Sequence, residues 1–213
     1  MGIKTIIFDL GGVILTLSPE EAARRFEQLG VKDAAEQLDS YRQKGIFGDL
    51  EHGLITAEQF RQSLSDMVGR EVSFEECCHA WQGYAKELPE RNKRVLRQLR
   101  RDGYRLLLLS NTNPYMMELV NNSRFDGEGH SIGDYMDACY LSYQMKLMKP
   151  DPEFFSRVLM EERIAPHETL FVDDGPRNVA AASQMGIHTL LPVNGEDWTD
   201  DIYLKLKELN VKY

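Results

Sequence analysis

A single aspartate near the start of the chain has the surroundings of a reactive or ligand-binding carboxylate. Asp9 follows an apolar run and is followed by Leu10 and the glycine pair Gly11-Gly12. Glycines allow a tight turn and let a ligand approach main-chain groups closely. The same pattern is also typical of an aspartate in an ordinary turn, so Asp9 alone leaves both interpretations open.

A second carboxylate motif, Asp173-Asp174, also follows an apolar run. Adjacent carboxylates at the end of a strand repel each other unless a cation or hydrogen-bond donors compensate. The pair could instead lie in a solvated loop, or cap a helix that begins near Pro176. If its strand lies beside the first strand, Asp9 joins the pair, and these hard oxygen ligands favour Mg²⁺.

The polar run Ser110-Asn111-Thr112-Asn113 and a single lysine complete the set of candidate residues. The hydroxyl and amides of the run suit an anion at a strand end, and the run also suits the N-cap of a helix beginning at Pro114. Lys149 lies in the segment before the acidic pair and could neutralise a phosphate there. An isolated surface lysine is usually only solvated, so its interest comes from this position.

The elements that must position these residues are short apolar runs bounded by turn residues. Runs at 3–8, 106–109 and 170–172 each end at one of the motifs, which is typical of strands buried on both faces. Weaker strand candidates lie at 138–143 and 187–193. Helix-like stretches between the runs favour an α/β fold with a parallel sheet, in which ligands bind beyond the carboxyl ends of the strands.

Between about residues 16 and 88 the sequence predicts helices and no strand. Ser18, Thr56 and Ser73 each precede a segment with the composition of a helix N-terminus. The strand pattern resumes only at Tyr104. We therefore expect a helical subdomain inserted after the first strand.

Composition limits the function classes. The chain has 213 residues, 42% of them hydrophobic, and a net charge of −9 from 34 acidic and 25 basic residues. This composition excludes a wholly disordered chain, and the acidic balance argues against a nucleic-acid partner. No apolar run approaches the ~20 residues of a membrane-spanning helix, so no membrane association is expected.

The cysteines predict a reducing compartment. Cys77 and Cys78 are adjacent, and Cys139 makes the count odd, so a disulfide framework is not expected. The apolar span before Asp9 is too short for the core of a signal peptide. We expect a cytoplasmic protein. The sequence does not indicate whether the protein forms oligomers.

The order of the motifs, Asp9, Ser110, Lys149 and then Asp173-Asp174, resembles the haloacid dehalogenase-like (HAD) hydrolase superfamily. The segments at 8–13 and 109–113, the stretch from Phe47 to Ile55 and Trp81 look most like the α-D-glucose-1-phosphate phosphatase type. The resemblance implies a Rossmann-like sheet whose first and fourth strands are adjacent. It also implies a core domain of residues 1–15 and 89–213, with a small helical cap at 16–88.

The resemblance implies a Mg²⁺-dependent phosphatase acting on a small phosphorylated metabolite, such as the sugar phosphate glucose 1-phosphate. In this interpretation Asp9 is the nucleophile that forms an aspartyl-phosphate. Ser110, with Asn111 beside it, binds the phosphoryl group, and Lys149 neutralises charge on the nucleophile and the phosphate. Such a site fits phosphoryl transfer, which depends mostly on positioning and on stabilising charge.

The resemblance also implies a metal-ligand set. Asp9, the main-chain carbonyl of Gly11 and Asp174 would hold Mg²⁺, with Asp173 acting through water or in a supporting position. The sequence does not decide which aspartate of the pair binds directly.

One position departs from the family pattern. Many HAD phosphatases have a second aspartate two residues after the nucleophile as general acid and base, and here that position is Gly11. Such catalysis is typically worth ~10²–10⁴-fold in rate. Glu51 and His52 are candidates to assist from the cap, although both also suit a solvated loop. Trp81 suits the cap core or a platform for a sugar.

Three alternatives stay open at this level. A 2-haloacid dehalogenase of the same superfamily also lacks the second aspartate, but it needs no metal and leaves Asp173-Asp174 unexplained. A phosphoacceptor domain would place its acidic pair at the first strand. A binding protein that has lost catalysis is the third alternative, with Gly11 as the trace of that loss.

Overall fold

A five-stranded parallel sheet forms the centre of the computed structural model, which describes residues 2–38 and 43–210. The described strands are, in chain order, β1 Thr5–Phe8, β2 Thr16–Leu17, β3 Ala85–Glu87, β4 Arg105–Ser110, β5 Ala138–Leu141, β6 Thr169–Val172 and β7 His188–Leu190. The sheet has the order β5-β4-β1-β6-β7, and every neighbouring pair in it is parallel. The predicted α/β, Rossmann-like class is confirmed. The first and fourth strands of this sheet in chain order, β1 and β6, are adjacent as expected.

The sheet is buried on both faces, as the continuous apolar runs predict. Ile6 and Phe8 of β1 pack into one buried cluster, whereas Ile7 packs with Leu107 and Phe171 in another. Successive side chains of a strand point to opposite faces, so these two clusters are the two layers of the core. The strand ends therefore sit on a rigid support.

Helices cover both faces of the sheet and form the inserted subdomain. The described α-helices are, in chain order, α1 Pro19–Leu29, α2 Ala34–Gln37, α3 Gly45–Glu51, α4 Ala57–Val68, α5 Phe74–Trp81, α6 Glu90–Arg101, α7 Pro114–Val120, α8 Ser142–Met145, α9 Pro152–Glu162, α10 Pro176–Gln184 and α11 Thr199–Asn210. Thr56 and Ser73 form capping boxes at the starts of α4 and α5. Ser18 occupies the N-cap position of α1 but makes no side-chain capping bond.

The cap, helices α1 to α5, has an aromatic core of its own. Phe26, Phe47, Phe60 and Trp81 form a group with ring centroids 5.1 to 5.8 Å apart. Tyr115, on helix α7 of the sheet domain, joins this cluster at 5.7 Å from Phe60. The cap therefore packs around a residue that the sheet domain supplies.

The expectation of no strand between 16 and 88 was wrong. The short strands β2 and β3 pair antiparallel where the chain passes between the sheet domain and the cap. Strands of two and three residues are too short to show an alternating pattern, which is why the sequence does not reveal them. We propose residues 16–88 as the cap, because both chain passages lie in this ribbon.

The three cysteines are free thiols. None of the helices in the described part of the chain is both long and apolar enough to cross a membrane.

Removing the ring of Tyr115 should weaken the junction between cap and sheet domain. Its hydroxyl donates a 2.6 Å hydrogen bond to the carbonyl of Ala57 in the cap, and the ring is fully buried. We expect Tyr115→Phe to lower the free energy of unfolding by about 1 kcal/mol. Tyr115→Ala should lower it by about 3–5 kcal/mol. Urea denaturation measures both, and equal losses in the two variants would contradict the packing role of the ring.

Candidate active site

Asp9 stands directly after β1, the middle strand of the sheet. Its backbone N–H donates to the carbonyl of Val172 on β6 at 2.9 Å, which continues the strand pairing. Its Oδ1 accepts a 2.7 Å hydrogen bond from the N–H of Leu10. The carboxylate is 13% exposed, and this exposed part lines a cavity. Asp9 is therefore a fixed carboxylate with one accessible side.

The loop after Asp9 turns back on itself. The N–H groups of Gly12 and Leu15 donate to the carbonyls of Leu15 and Leu10, both at 2.8 Å. Gly12 has a φ of +74°, which a side chain would strain. The glycine pair predicted this turn.

Two buried side chains hold this loop from behind. Asn92 donates from Nδ2 to the carbonyls of Val13 and Ile14 at 2.9 and 3.0 Å. Trp198 donates from Nε1 to the carbonyl of Val13 at 2.9 Å. Sequence reasoning missed both residues, because Asn92 lies in a strongly charged helix and Trp198 near the C-terminus, far from any motif.

Lys149 is the buried centre of the site. Its Nζ lies 2.9 Å from Oδ2 of Asp9 and 2.6 Å from Oδ2 of Asp173, and its side chain has no exposed surface. Asn111 fixes the lysine backbone: its Nδ2 donates to the carbonyl and its Oδ1 accepts from the N–H, each at 2.9 Å. Any contact of Asn111 with a substrate thus falls mainly to its backbone.

The two aspartates of the acidic pair have different surroundings. Asp173 is fully buried, and its Oδ1 accepts hydrogen bonds from the N–H of Gly175 at 2.7 Å and from Nδ2 of Asn178 at 2.9 Å. With the lysine on its other oxygen, it is fully partnered within the protein. Asp174 is partly exposed and lies against Gly12, where an added Cβ would overlap its carboxylate.

The donor set suits a hard divalent cation. One carboxylate oxygen each from Asp9, Asp173 and Asp174 lies within 4.8 Å of the others. Burial raises the pKa of Asp9 to about 8, with the two other aspartates adding to the rise and Lys149 opposing it. Burial and the neighbouring Asp173 raise the pKa of Asp174 to about 6. Carboxylates this crowded fit Mg²⁺, which prefers oxygen ligands.

The polar run after β4 divides into two parts. Ser110 is the last residue of β4, is almost completely buried, and lines the cavity with Asn111. Asn113 accepts a 3.1 Å hydrogen bond from the N–H of Met116 and caps helix α7. The helix-cap interpretation is therefore confirmed for Asn113, and Ser110 with Asn111 stays the candidate for an anion site.

A cavity of about 400 Å³ separates the sheet edge from the cap. The sheet domain contributes Asp9, Gly11, Ser110, Lys149 and Asp174 to its lining. The cap side contributes Leu17, Gln43, Glu51, Trp81 and Tyr84. The sequence-predicted candidates thus line one cavity, except for His52 and for Asp173, which contacts Lys149.

The structure shows what surrounds Gly11 and which of the two cap candidates, Glu51 and His52, lines the cavity. A Cβ added at Gly11 would lie 2.8 Å from Cδ1 of Leu17, so a leucine from β2 occupies the place of a side chain there. Glu51 lines the cavity, whereas His52 caps helix α3 and is not among the described residues of the lining.

Comparisons with known proteins agree on one family. The family model described as haloacid dehalogenase-like hydrolase matches residues 3–186. The chain is 42% identical to the D-ribitol-5-phosphate phosphatase of Bacteroides thetaiotaomicron over 200 residues, which cover 94% of this chain and 97% of that protein.

Two solved structures are similar over nearly their whole length. One is described as a predicted HAD-like family hydrolase from Porphyromonas gingivalis, with a TM-score of 0.92, 40% identity and complete (100%) coverage of both chains. The other is a HAD family enzyme of Bacteroides thetaiotaomicron in complex with magnesium and inorganic phosphate. It has a TM-score of 0.85 and 37% identity, and covers 93% of this chain and 98% of that chain.

Replacing Gly12 by alanine should have two effects. It should strain the backbone at a positive φ, and its Cβ should collide with the carboxylate of Asp174. Gly69, with a φ of +73° and open space around it, is the matched control for the φ of +74° at Gly12. We expect Gly69→Ala to cost about 1 kcal/mol of stability, and Gly12→Ala to cost more and to displace Asp174. Thermal unfolding and the Mg²⁺ dependence of phosphate release measure these effects. Identical behaviour of the two variants would contradict the contact between Gly12 and Asp174.

Proposed function

The chain belongs to the haloacid dehalogenase-like hydrolase family and is a phosphatase, and from this premise we propose that it hydrolyses a small polyol or sugar phosphate through a covalent phosphate on Asp9. The observation that carries this proposal is the buried Lys149, held between Asp9 and Asp173 at the floor of the cavity. An ammonium group there offers a phosphate its counter-charge directly beside a carboxylate.

Asp9 is suited to act as the nucleophile. Its position after a central strand and its backbone bond to β6 fix the carboxylate, and its exposed side faces the cavity. In phosphoryl transfer the protein mainly positions the reactants and stabilises charge on the transferred group. Lys149 would neutralise part of that charge, and the hydroxyl of Ser110 would donate a hydrogen bond to a phosphoryl oxygen. The backbone N–H of Asn111, another residue of the lining, would be a further donor.

The cation site is proposed as Asp9, the carbonyl of Gly11 and Asp174. The oxygens of Asp173 are already satisfied by Lys149, Gly175 and Asn178, which favours a supporting role for it. When bound, Mg²⁺ would neutralise charge on the phosphoryl oxygens and offset the repulsion among the carboxylates. The similar enzyme crystallised with magnesium and inorganic phosphate supports Mg²⁺ as the cation.

The substrate class is proposed from the named relative and the cavity. The similar phosphatase is named for D-ribitol 5-phosphate, a phosphorylated polyol. The cavity of about 400 Å³ is lined by apolar residues and by polar ones such as Gln43, Asn178 and Asn194, so it suits a small organic group that carries hydroxyls. We therefore place pentitol phosphates ahead of glucose 1-phosphate, the example that the sequence resemblance implies.

Asp9→Asn should abolish turnover because an amide does not attack phosphorus to form an acyl phosphate. The assay is phosphate release from a panel that contains ribitol 5-phosphate, glucose 1-phosphate and 4-nitrophenyl phosphate, with Mg²⁺ or with EDTA. The matched control is Asp66→Asn, which alters an exposed aspartate of the cap. We expect the control to match wild type and EDTA to remove activity. Undiminished release by Asp9→Asn would reject the nucleophile.

Substitutions of the acidic pair should separate metal binding from support of the lysine. We expect Asp174→Asn to raise the Mg²⁺ concentration for half-maximal activity by about 10–100-fold or more, with little change in thermal stability. Asp173→Asn leaves the buried Lys149 with one charged partner fewer, so it should lower the free energy of unfolding by about 3–5 kcal/mol. Mg²⁺ titrations and denaturant unfolding test this. A weaker Mg²⁺ affinity in Asp173→Asn together with a lower stability in Asp174→Asn would contradict the assignment.

A further inference from the structure

Glu51 is the residue with a carboxyl group that the cap contributes to the lining of the cavity. Among the described residues, those lining the cavity with a carboxyl group are Asp9, Asp174 and Glu51. The first two belong to the nucleophile and cation site proposed above. Glu51 is the last residue of helix α3 and comes from the opposite wall.

The backbone of Glu51 is fixed over the end of β4. Its carbonyl accepts a 2.6 Å hydrogen bond from the hydroxyl of Ser142, and the same hydroxyl accepts a 2.9 Å bond from the N–H of Thr112. Thr112 lies two residues after Ser110, the proposed phosphoryl ligand. Glu51 is thereby tied to the phosphate-binding end of the sheet, although it belongs to the cap.

The next turn of the chain strengthens this placement. Gly53 has a φ of +71°, and an added Cβ would overlap the carbonyl of Tyr143 in the sheet domain. The cap and the sheet domain are in backbone contact here. Glu51 therefore belongs to a segment that these contacts hold against the sheet domain.

The surroundings of Glu51 suit a group that gives up and regains a proton. Burial raises the pKa of Glu51 to about 7, and the side chain of Asn113 opposes the rise. An acid and base works best when its pKa is near the working pH. The place of the acid found in many family members is filled here by Leu17, which lies against Gly11.

We propose that Glu51 is the general acid and base of this phosphatase, acting from the cap in place of an acidic residue at position 11. The assignment rests on the proposed function, with Asp9 as the nucleophile. It makes Glu51 a catalytic residue, because its carboxyl group contacts the leaving oxygen and then the attacking water.

Glu51 donates a proton in the first half-reaction and regains one in the second. First, a carboxylate oxygen of Asp9 bonds to phosphorus while the bond from phosphorus to the leaving oxygen breaks. The leaving oxygen keeps the electron pair and takes the proton of Glu51, which releases the alcohol. A water oxygen then bonds to phosphorus and gives a proton to Glu51, and the bond from phosphorus to Asp9 breaks. Inorganic phosphate leaves, and both carboxyl groups return to their starting states.

The test measures how kcat/KM depends on the acidity of the leaving group. Substituted phenyl phosphates, from 4-nitrophenyl to 4-methoxyphenyl phosphate, share the phenyl ring, are similar in size and carry no alcohol hydroxyls for the cap to bind. In wild type the protonated leaving group should make kcat/KM nearly independent of the phenol pKa. In Glu51→Gln we expect 4-nitrophenyl phosphate to lose less than about tenfold, and the least acidic phenol and ribitol 5-phosphate to lose ~10²–10⁴-fold.

The controls separate this assignment from a structural role and from the proposed function. Glu75→Gln alters an exposed carboxylate of the cap and should leave the series unchanged. Glu51→Asp keeps a carboxylic acid and should recover part of the wild-type independence from the phenol pKa. Parallel series for wild type and Glu51→Gln, whether equal or uniformly lowered, would overturn the role of Glu51 while leaving Asp9 in place. Activity retained by Asp9→Asn would instead overturn the proposed function.

Discussion

The buried ammonium group of Lys149 imposes the geometry of the site. A charge without exposed surface is tolerated only when oppositely charged groups surround it, and losing one such partner typically costs about 3–5 kcal/mol. Asp9 and Asp173 meet this need at 2.9 and 2.6 Å. Because they end the neighbouring strands β1 and β6, the lysine can be compensated only where those strands meet. Asn111 and Asn178 complete the arrangement by holding the lysine backbone and the second carboxylate.

The same group leaves an imbalance that a phosphate enzyme must correct. The lysine offsets part of the charge of the three clustered carboxylates, and burial makes the remainder costly, as the raised pKa of Asp9 and Asp174 indicates. An anionic substrate therefore needs a further cation at this place. The acidic character of the whole chain, with its net charge of −9, mainly belongs to exposed residues and does not prevent such a site.

The sequence predicts those parts of the molecule that show a pattern of apolar residues along the chain or that directly follow such a pattern. Buried strands appear as apolar runs, and Asp9 and the acidic pair follow them directly. Parallel strands end at one edge, so the meeting of these residues follows from the fold class. Long-range contacts have no such signature. The hydrogen bonds of Asn92 and Trp198 to the loop after β1, and the contact of Leu17 with Gly11, join segments far apart in sequence or facing across a turn.

The different surroundings of Asp173 and Asp174 were also beyond the sequence. Two adjacent aspartates have identical chemistry, and only the direction of each side chain makes one a partner of Lys149 and the other a neighbour of Gly12. The same holds for Glu51 and His52, of which the glutamate lines the cavity. Side-chain direction is set by packing at the end of an element, where the periodic pattern has already stopped.

The aromatic core of the cap has a consequence for how this enzyme could be re-engineered. Tyr115 and Met116 belong to helix α7 of the sheet domain, yet both are buried among the cap residues Phe60 and Trp81. The inserted segment is therefore not a self-contained module. A chimaera that received only this insertion would lose the packing of Tyr115 unless the α7 of the recipient supplied an equivalent ring, so α7 is best transplanted with it. The unit that packs as one body is therefore the insertion together with α7.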